Sequence, residues 1–241
     1  MVSDRMAVVL ALLGGDRARG ANLPQTVAAQ AAVALGVDGI CAGLGTGASG
    51  MVLAWGQEAV SGDLEDLQFT LGQGPGPDAA AGGGPVLVSD LAATEARWPQ
   101  FAPAAADLGV RAVFALPLRI GAIGVGVLVA HRATPGPLAD GEFVDAVALA
   151  EGVTLLLVNQ QSAGAYRAGH TAGGSQPGSE LPATYRAQVH QATGMVSAQL
   201  GVDLAEALVR LRAHAYAEDR LIAEVAADVV ARRLRFNDPN D

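Results

Sequence analysis

The chain is 241 residues long, 51% hydrophobic and 16% charged, with a formal net charge of −9; that suits one large or two modest folded domains and excludes a disordered protein. All 15 basic residues are arginine, which removes a P-loop lysine, Schiff-base chemistry and any lysine general base. Cys41 is the only cysteine, so disulfides and cysteine-rich zinc sites are excluded, and a reducing cytoplasm is the expected compartment.

In chain order, Met6–Leu13 is a short apolar run followed by Asp16, Arg17 and Arg19. It predicts a helix within an N-terminal segment 1–22, not a signal peptide, because no small-residue cleavage site follows. Leu23, Val27, Ala31 and Leu35 have helical spacing. Val37–Leu44 and Met51–Gly56 read as short strands around the glycine-rich turn Gly45–Gly50. Cys41 lies in the first of these runs, where a buried structural thiol is expected. Leu64–Leu71 predicts a short helix or irregular turn, with Asp63, Glu65 and Asp66 as a solvated face. Leu71–Gly84, rich in glycine with Pro75 and Pro77, predicts a tight structural loop. It is no phosphate cradle, because the two prolines remove amide donors.

Pro85–Ser89 reads as a strand, and Asp90–Leu108 holds mixed helical and loop signals. Ala112–His131 is nearly long and apolar enough to span a bilayer, but Pro117, Arg119, Gly121 and Gly124 predict two buried strands with a turn, and no membrane association. Asp140–Gln161 is a long helix. Adjacent strand pairs with helices outside them predict an α+β domain with an antiparallel sheet. Residues 163–182, rich in glycine and serine, form a linker of flexible composition.

Beyond the linker the pattern is purely helical. Tyr185, Val189, Ala192 and Val196 line one face of a first helix that ends at Gly201. Asp203 with Glu206 is a capping box. Leu204, Ala207, Leu208, Leu211 and Ala215 form the buried stripe of a second helix, and Ile222, Val225, Ala226 and Val229 that of a third. Three such helices make a small all-α bundle over 183–237. Charge divides along the same boundary: residues 1–179 carry 8 arginines against 15 acidic residues, and residues 180–236 carry 7 of each. An acidic body repels nucleic acid, so any such contact belongs to a local patch of the C-terminal part.

No catalytic constellation is legible. His131, His170, His190 and His214 have no metal-type spacing, and Ser49 lacks the frame of a nucleophile elbow. No metal and no cofactor are expected. Arg186, His190, Thr193 and Ser197 form a polar stripe on the first C-terminal helix, and Arg212 and Tyr216 share a flank of the second. Arginine can grip phosphate or a base edge and tyrosine can stack on an unpaired base; ordinary solvent-facing positions would look the same. Arg232, Arg233 and Arg235 end the third helix, where its dipole favours cations.

Two stretches resemble known families. Leu71–Pro75, Pro85–Leu91, Arg97-Trp98-Pro99 with Phe101, and Leu108–Leu118 together resemble the GAF domains of actinobacterial regulators, over about 23–162. Gln191–Met195, Glu206-Ala207-Leu208, Leu211, Arg212, Ala215, Val225 and Ala226 resemble the ANTAR domain, over about 184–236. The resemblance implies a three-helix module that binds paired hexanucleotide stem-loops in nascent RNA and causes transcription antitermination, as a dimer. Thr193 stands where that family usually has lysine. It is expected outside the buried stripe, so the change weakens the electrostatics of RNA binding and leaves the fold intact.

The expected protein is therefore a non-enzymatic, cytoplasmic, homodimeric regulator. Its RNA face comprises Arg186, His190, Thr193, Gly194, Ser197, Arg212 and Tyr216, with Gly194 letting a strand approach the helix backbone. Its GAF domain is expected to sense a small-molecule signal in a pocket beneath Leu71–Gly84, lined by Trp55, Phe69, Phe114 and Leu116. The alternative is a signalling or scaffold protein that keeps both folds and has lost RNA binding.

Overall fold

The computed structural model describes residues 1–14, 25–45, 52–55, 59–168, 180–218 and 220–236, with side chains outside the description at 25, 52–54, 160–168 and 180–187. The chain divides into two compact units, one built from Met1–Thr46 and Leu53–Ser175, the other chiefly from Gln176–Asp241.

The first unit contains a five-stranded sheet in the order β2-β1-β5-β4-β3, built from β1 (Gly39–Leu44), β2 (Val52–Trp55), β3 (Val86–Val88), β4 (Ala112–Ile120) and β5 (Ile123–Arg132). The β1–β5, β4–β5 and β3–β4 pairs are antiparallel. The apolar segment Ala112–His131 is thus a hairpin, reversed at Gly121 with φ 59°. Among the described residues no helix is long and apolar enough to cross a membrane.

Strand alternation divides the side chains between two faces. Ile40, Ala42, Ala112, Phe114, Leu116, Leu118, Leu128 and Ala130 share one core with α1 (Asp4–Gly14), α2 (Gln25–Leu35) and α6 (Asp140–Ala168). The N-terminal helix is therefore part of this unit's core and not an appended segment: Met6, Val9 and Leu13 are buried in it. At Gly152 a Cβ would sit 2.9 Å from the Leu10 side chain, so the missing side chain lets α1 lie close on α6. Arg132 ties the layer to the sheet, donating to the carbonyls of Gly36 and Pro137 and pairing with Glu142 at 2.9 Å.

The other sheet face carries α3 (Ala59–Leu71), α4 (Pro75–Gly82) and α5 (Phe101–Asp107). Two expectations change here. The predicted loop at Leu71–Gly84 contains α4, because Pro75 starts the helix, where its fixed φ suits the first turn, and three alanines carry it to Gly83, whose φ of 67° closes it. The predicted solvated face of α3 is not all solvated, since Glu65 is only 2% exposed.

The second unit holds α7 (Glu180–Leu200), α8 (Leu204–Ala217) and α9 (Ile222–Val230). Its core is the expected one for Val189, Ala192, Val196, Ala207, Leu208, Leu211, Ala215, Ile222, Val225, Ala226 and Val229, all buried. Leu204 departs from it at 54% exposure, because it sits in the first turn, before the helix meets its neighbours. Asp203 caps α8 by accepting the Glu206 N–H at 2.8 Å. The Glu206 carboxylate goes to Arg210, so the cap bond shown runs one way. Helix α6 continues through Ala168 and α7 begins at Glu180, which makes both ends of the expected linker helical; residues 169–179, like the turn 46–50, lie outside the described residues.

Candidate functional site

On α7, residues advance by about 100° each, so a residue four positions after Val189 lies only about 40° round the helix from it. Thr193 consequently belongs to the buried stripe, at 6% exposure, and not to the outer face where the sequence places it. Its hydroxyl is satisfied within the helix by the Val189 carbonyl at 2.7 Å, which is what lets a threonine sit in an apolar contact. Ser197 is also used internally, donating to the Val202 carbonyl at 2.6 Å and closing the turn between α7 and α8. His190 is half-buried. The Arg186 side chain lies outside the described residues.

Gly194 is different. A Cβ placed there would meet nothing within 4 Å, so packing within the unit does not require a glycine in mid-helix. Tyr216 is 69% exposed, and Arg212, four residues earlier on α8, is half-buried. Burial lowers the Arg212 pKa from its ordinary value; the guanidinium stays charged, since arginine is not deprotonated in proteins. Much of the unit's remaining charge is paired internally. Arg210 holds Glu206 at 2.6 Å, Arg220 holds Asp228 at 2.6 Å and Glu218 at 3.3 Å, and Arg233 holds Asp228 at 2.7 Å.

In the first unit, the four residues expected to line one pocket are not brought together. Trp55, Phe114 and Leu116 are in the core beneath α1, α2 and α6, whereas Phe69 is buried on α3 across the sheet. The reason is alternation: Phe114 and Leu116 are two apart and point to the face opposite α4. The inward side of α3 carries a polar stripe beside the apolar Leu64 and Phe69. Ser61, Glu65 and Gln68, spaced on one side of α3, are buried together with His131. Ser61 Oγ lies 3.0 Å from His131 Nε2, and the Cys41 thiol points to the Ser61 carbonyl. Gln68 Nε2 donates to Glu65 at 3.3 Å, and Gln68 Oε1 accepts the Gly76 N–H at 2.7 Å.

Glycines make the space for this cluster. A Cβ on Gly39 would fall 2.3 Å from His131 Nε2, and one on Gly76 would fall 2.9 Å from Gln68 Oε1. Burial lowers the His131 pKa, and Asp38 opposes that shift, so the imidazole is held neutral. Ser61 and His131 have the distance of a nucleophile and its base, but Ser61 is fully buried and gives a substrate no access. The sequence signal for the cluster was a polar stripe at i, i+4 and i+7 inside a helix that otherwise reads as amphipathic. Separately, a groove of about 410 Å³ lies between α1 and α2, lined by Arg5, Val8, Val9, Ala29, Gln30, Val33 and Ala34.

A GAF domain model matches residues 21–156, more than half of the chain. The chain belongs to the GAF family. A model of the ANTAR domain matches residues 183–230, so this GAF protein carries an ANTAR domain after its sensor-type fold. Among solved structures it is similar to the GAF domain of a phosphoenolpyruvate-protein phosphotransferase from Coxiella burnetii, at 18% identity and TM-score 0.48, covering 68% of this chain and 99% of that one. It is also similar to a free methionine-R-sulfoxide reductase from Neisseria meningitidis, at 21% identity and TM-score 0.49, covering 68% and 96%. A putative two-component sensor histidine kinase domain from Sinorhizobium meliloti matches at 17% identity and TM-score 0.47, covering 58% and 92%. None of the curated proteins matches the chain.

Proposed function

We propose that this GAF–ANTAR protein is a signal-responsive, non-enzymatic RNA-binding regulator of transcription antitermination, acting in the cytoplasm as a homodimer. Its ANTAR domain binds paired stem-loops in nascent RNA. The observation that carries the reading, beside the ANTAR match, is Gly194. A glycine in a helix interior costs about 1 kcal/mol relative to alanine, and nothing inside the unit needs it; close approach by a nucleic-acid strand would. Tyr216 supplies an exposed ring for stacking and Arg212 a cation on the same helix flank. Exposed Val8, Val33 and Leu155 on α1, α2 and α6 suit a second copy. The sensing face is the one that carries α3 and α4, where a polar small molecule enters only by parting the buried Ser61–His131 and Glu65–Gln68 hydrogen bonds.

The test is titration of the full chain against a labelled RNA carrying two hexaloop stem-loops and against a loop-scrambled control, at several salt concentrations. Preferential, salt-sensitive binding to the paired loops is expected. Equal, weak binding to both would favour the second reading, a scaffold that keeps both folds without RNA recognition. That reading is supported by the balanced charge of the C-terminal unit and by a buried threonine at position 193.

A further inference from the structure

We propose that Arg232 and Arg235, just beyond the last helix, grip the phosphate backbone of the bound RNA, and that Arg232 keeps a left-handed backbone to do so. The inference rests on the RNA-binding reading above and adds two residues outside the matched ANTAR segment.

Helix α9 ends with the Arg233 N–H bonded to the Asp228 carbonyl at 2.8 Å and the Arg232 N–H bonded to the Val229 carbonyl at 3.0 Å. This closure places Arg232 at the position that needs positive φ and is usually glycine. Its φ is 57°, and among the described residues it is the one non-glycine with positive φ. Four other helices of this chain close with glycine, since Gly36 after α2, Gly72 after α3, Gly83 after α4 and Gly201 after α7 all have φ between 61° and 67°, whereas α8 ends at Glu218 without one. An arginine in place of the easy solution indicates that its side chain is used.

The neighbouring charges separate that use from a structural one. Arg210, Arg220 and Arg233 are held by carboxylates. Arg232 and Arg235 are exposed and make no ion pair among the described residues. The helix dipole favours a cation anywhere in this last turn and so does not single out position 232, where a glycine would relieve the backbone. The segment is fixed rather than loose: the Phe236 ring packs on His214 at 5.2 Å, and its N–H donates to Gln199 Oε1 at 2.9 Å. Two guanidiniums on an anchored backbone lose little freedom on gripping phosphates.

The test uses the full chain with the paired stem-loop RNA and compares wild type with Arg232→Gly, Arg235→Gln and the double variant. Arg232→Gly keeps the backbone turn, so its melting temperature should equal or exceed that of wild type. Its RNA affinity should nevertheless fall roughly three- to tenfold, and the slope of log affinity against log salt should flatten by about one. Arg235→Gln should do the same, and the double variant should flatten the slope by about two. If wild type binds with a steep salt dependence and the variants keep its affinity within about twofold and its slope, the assignment of these two arginines is wrong while RNA binding stands. If wild type binds no RNA, the reading on which the proposal rests fails, and the proposal with it.

Discussion

Two adjacent residues of α7 show how little the chemical type of a side chain says without its surroundings. Thr193 looks like a lost cation at an RNA face, yet it is buried and spends its hydroxyl on its own helix. A lysine there would have to thread its stem out along the bundle edge to keep its charge in water, so Thr193→Lys is as much a packing change as an electrostatic one. Gly194 looks like a flaw in the helix, yet the space beside it is open. Gly194→Ala should therefore stabilise the C-terminal unit by about 0.5–1 kcal/mol, seen as a higher melting temperature. If a strand approaches that backbone, the same substitution weakens RNA binding severalfold. A gain in stability with unchanged affinity would remove Gly194 from the interface.

At the scale of elements, α3 and α4 are joined through one side chain. Gln68 reaches from α3 to the first turn of α4 and accepts the Gly76 N–H, with glycines at 74 and 76 giving it room. Replacing it by alanine leaves a buried N–H without its acceptor and opens a cavity. Gln68→Ala should cost about 2–4 kcal/mol, measured by urea unfolding, and amide exchange should accelerate first in Pro75–Gly82. Loss confined to a few tenths of a kcal/mol would show that α4 docks by its apolar contacts alone. The sequence leaves Leu64–Leu71 open between a short helix and an irregular turn, where α3 runs from Ala59 to Leu71, and its inward polar stripe is not legible. Glu65 and Gln68 have the composition of a solvated face, and only the neighbouring glycines reveal what they touch.

Over the whole molecule, the buried His131 couples stability to pH. Its folded-state pKa lies below the ordinary value of 6.5 because burial disfavours the imidazolium, with Asp38 opposing. The unfolded chain therefore takes up the proton first. Stability is complete above pH 6.5 and falls as pH drops through 6.5 towards the folded-state value, by at most about 1.4 kcal/mol per pH unit for this one group. Melts of the full chain between pH 8 and pH 5 should show this decline, and His131→Gln should make it shallower. Identical pH profiles for the two proteins would mean that other groups carry the effect.

Periodicity and turn chemistry alone specify the two-part plan: an α+β unit followed by a three-helix bundle whose core residues are nearly all identifiable in advance. Those signals survive because a helix stripe or an alternating strand depends on neighbours within a few residues. Residue motifs likewise suffice to recognise both domains. What the linear pattern does not contain is which sheet face each helix covers. That decision sends Phe114 and Leu116 to one core and Phe69 to another, and brings His131 of β5 against Ser61 of α3. The left-handed turn at Arg232 is also unmarked in the sequence, since no glycine stands there, although the bonds that close it are local ones back to Val229 and Asp228. Long-range contacts set the division between the two sheet faces, and the polar cluster beneath α3 depends on it.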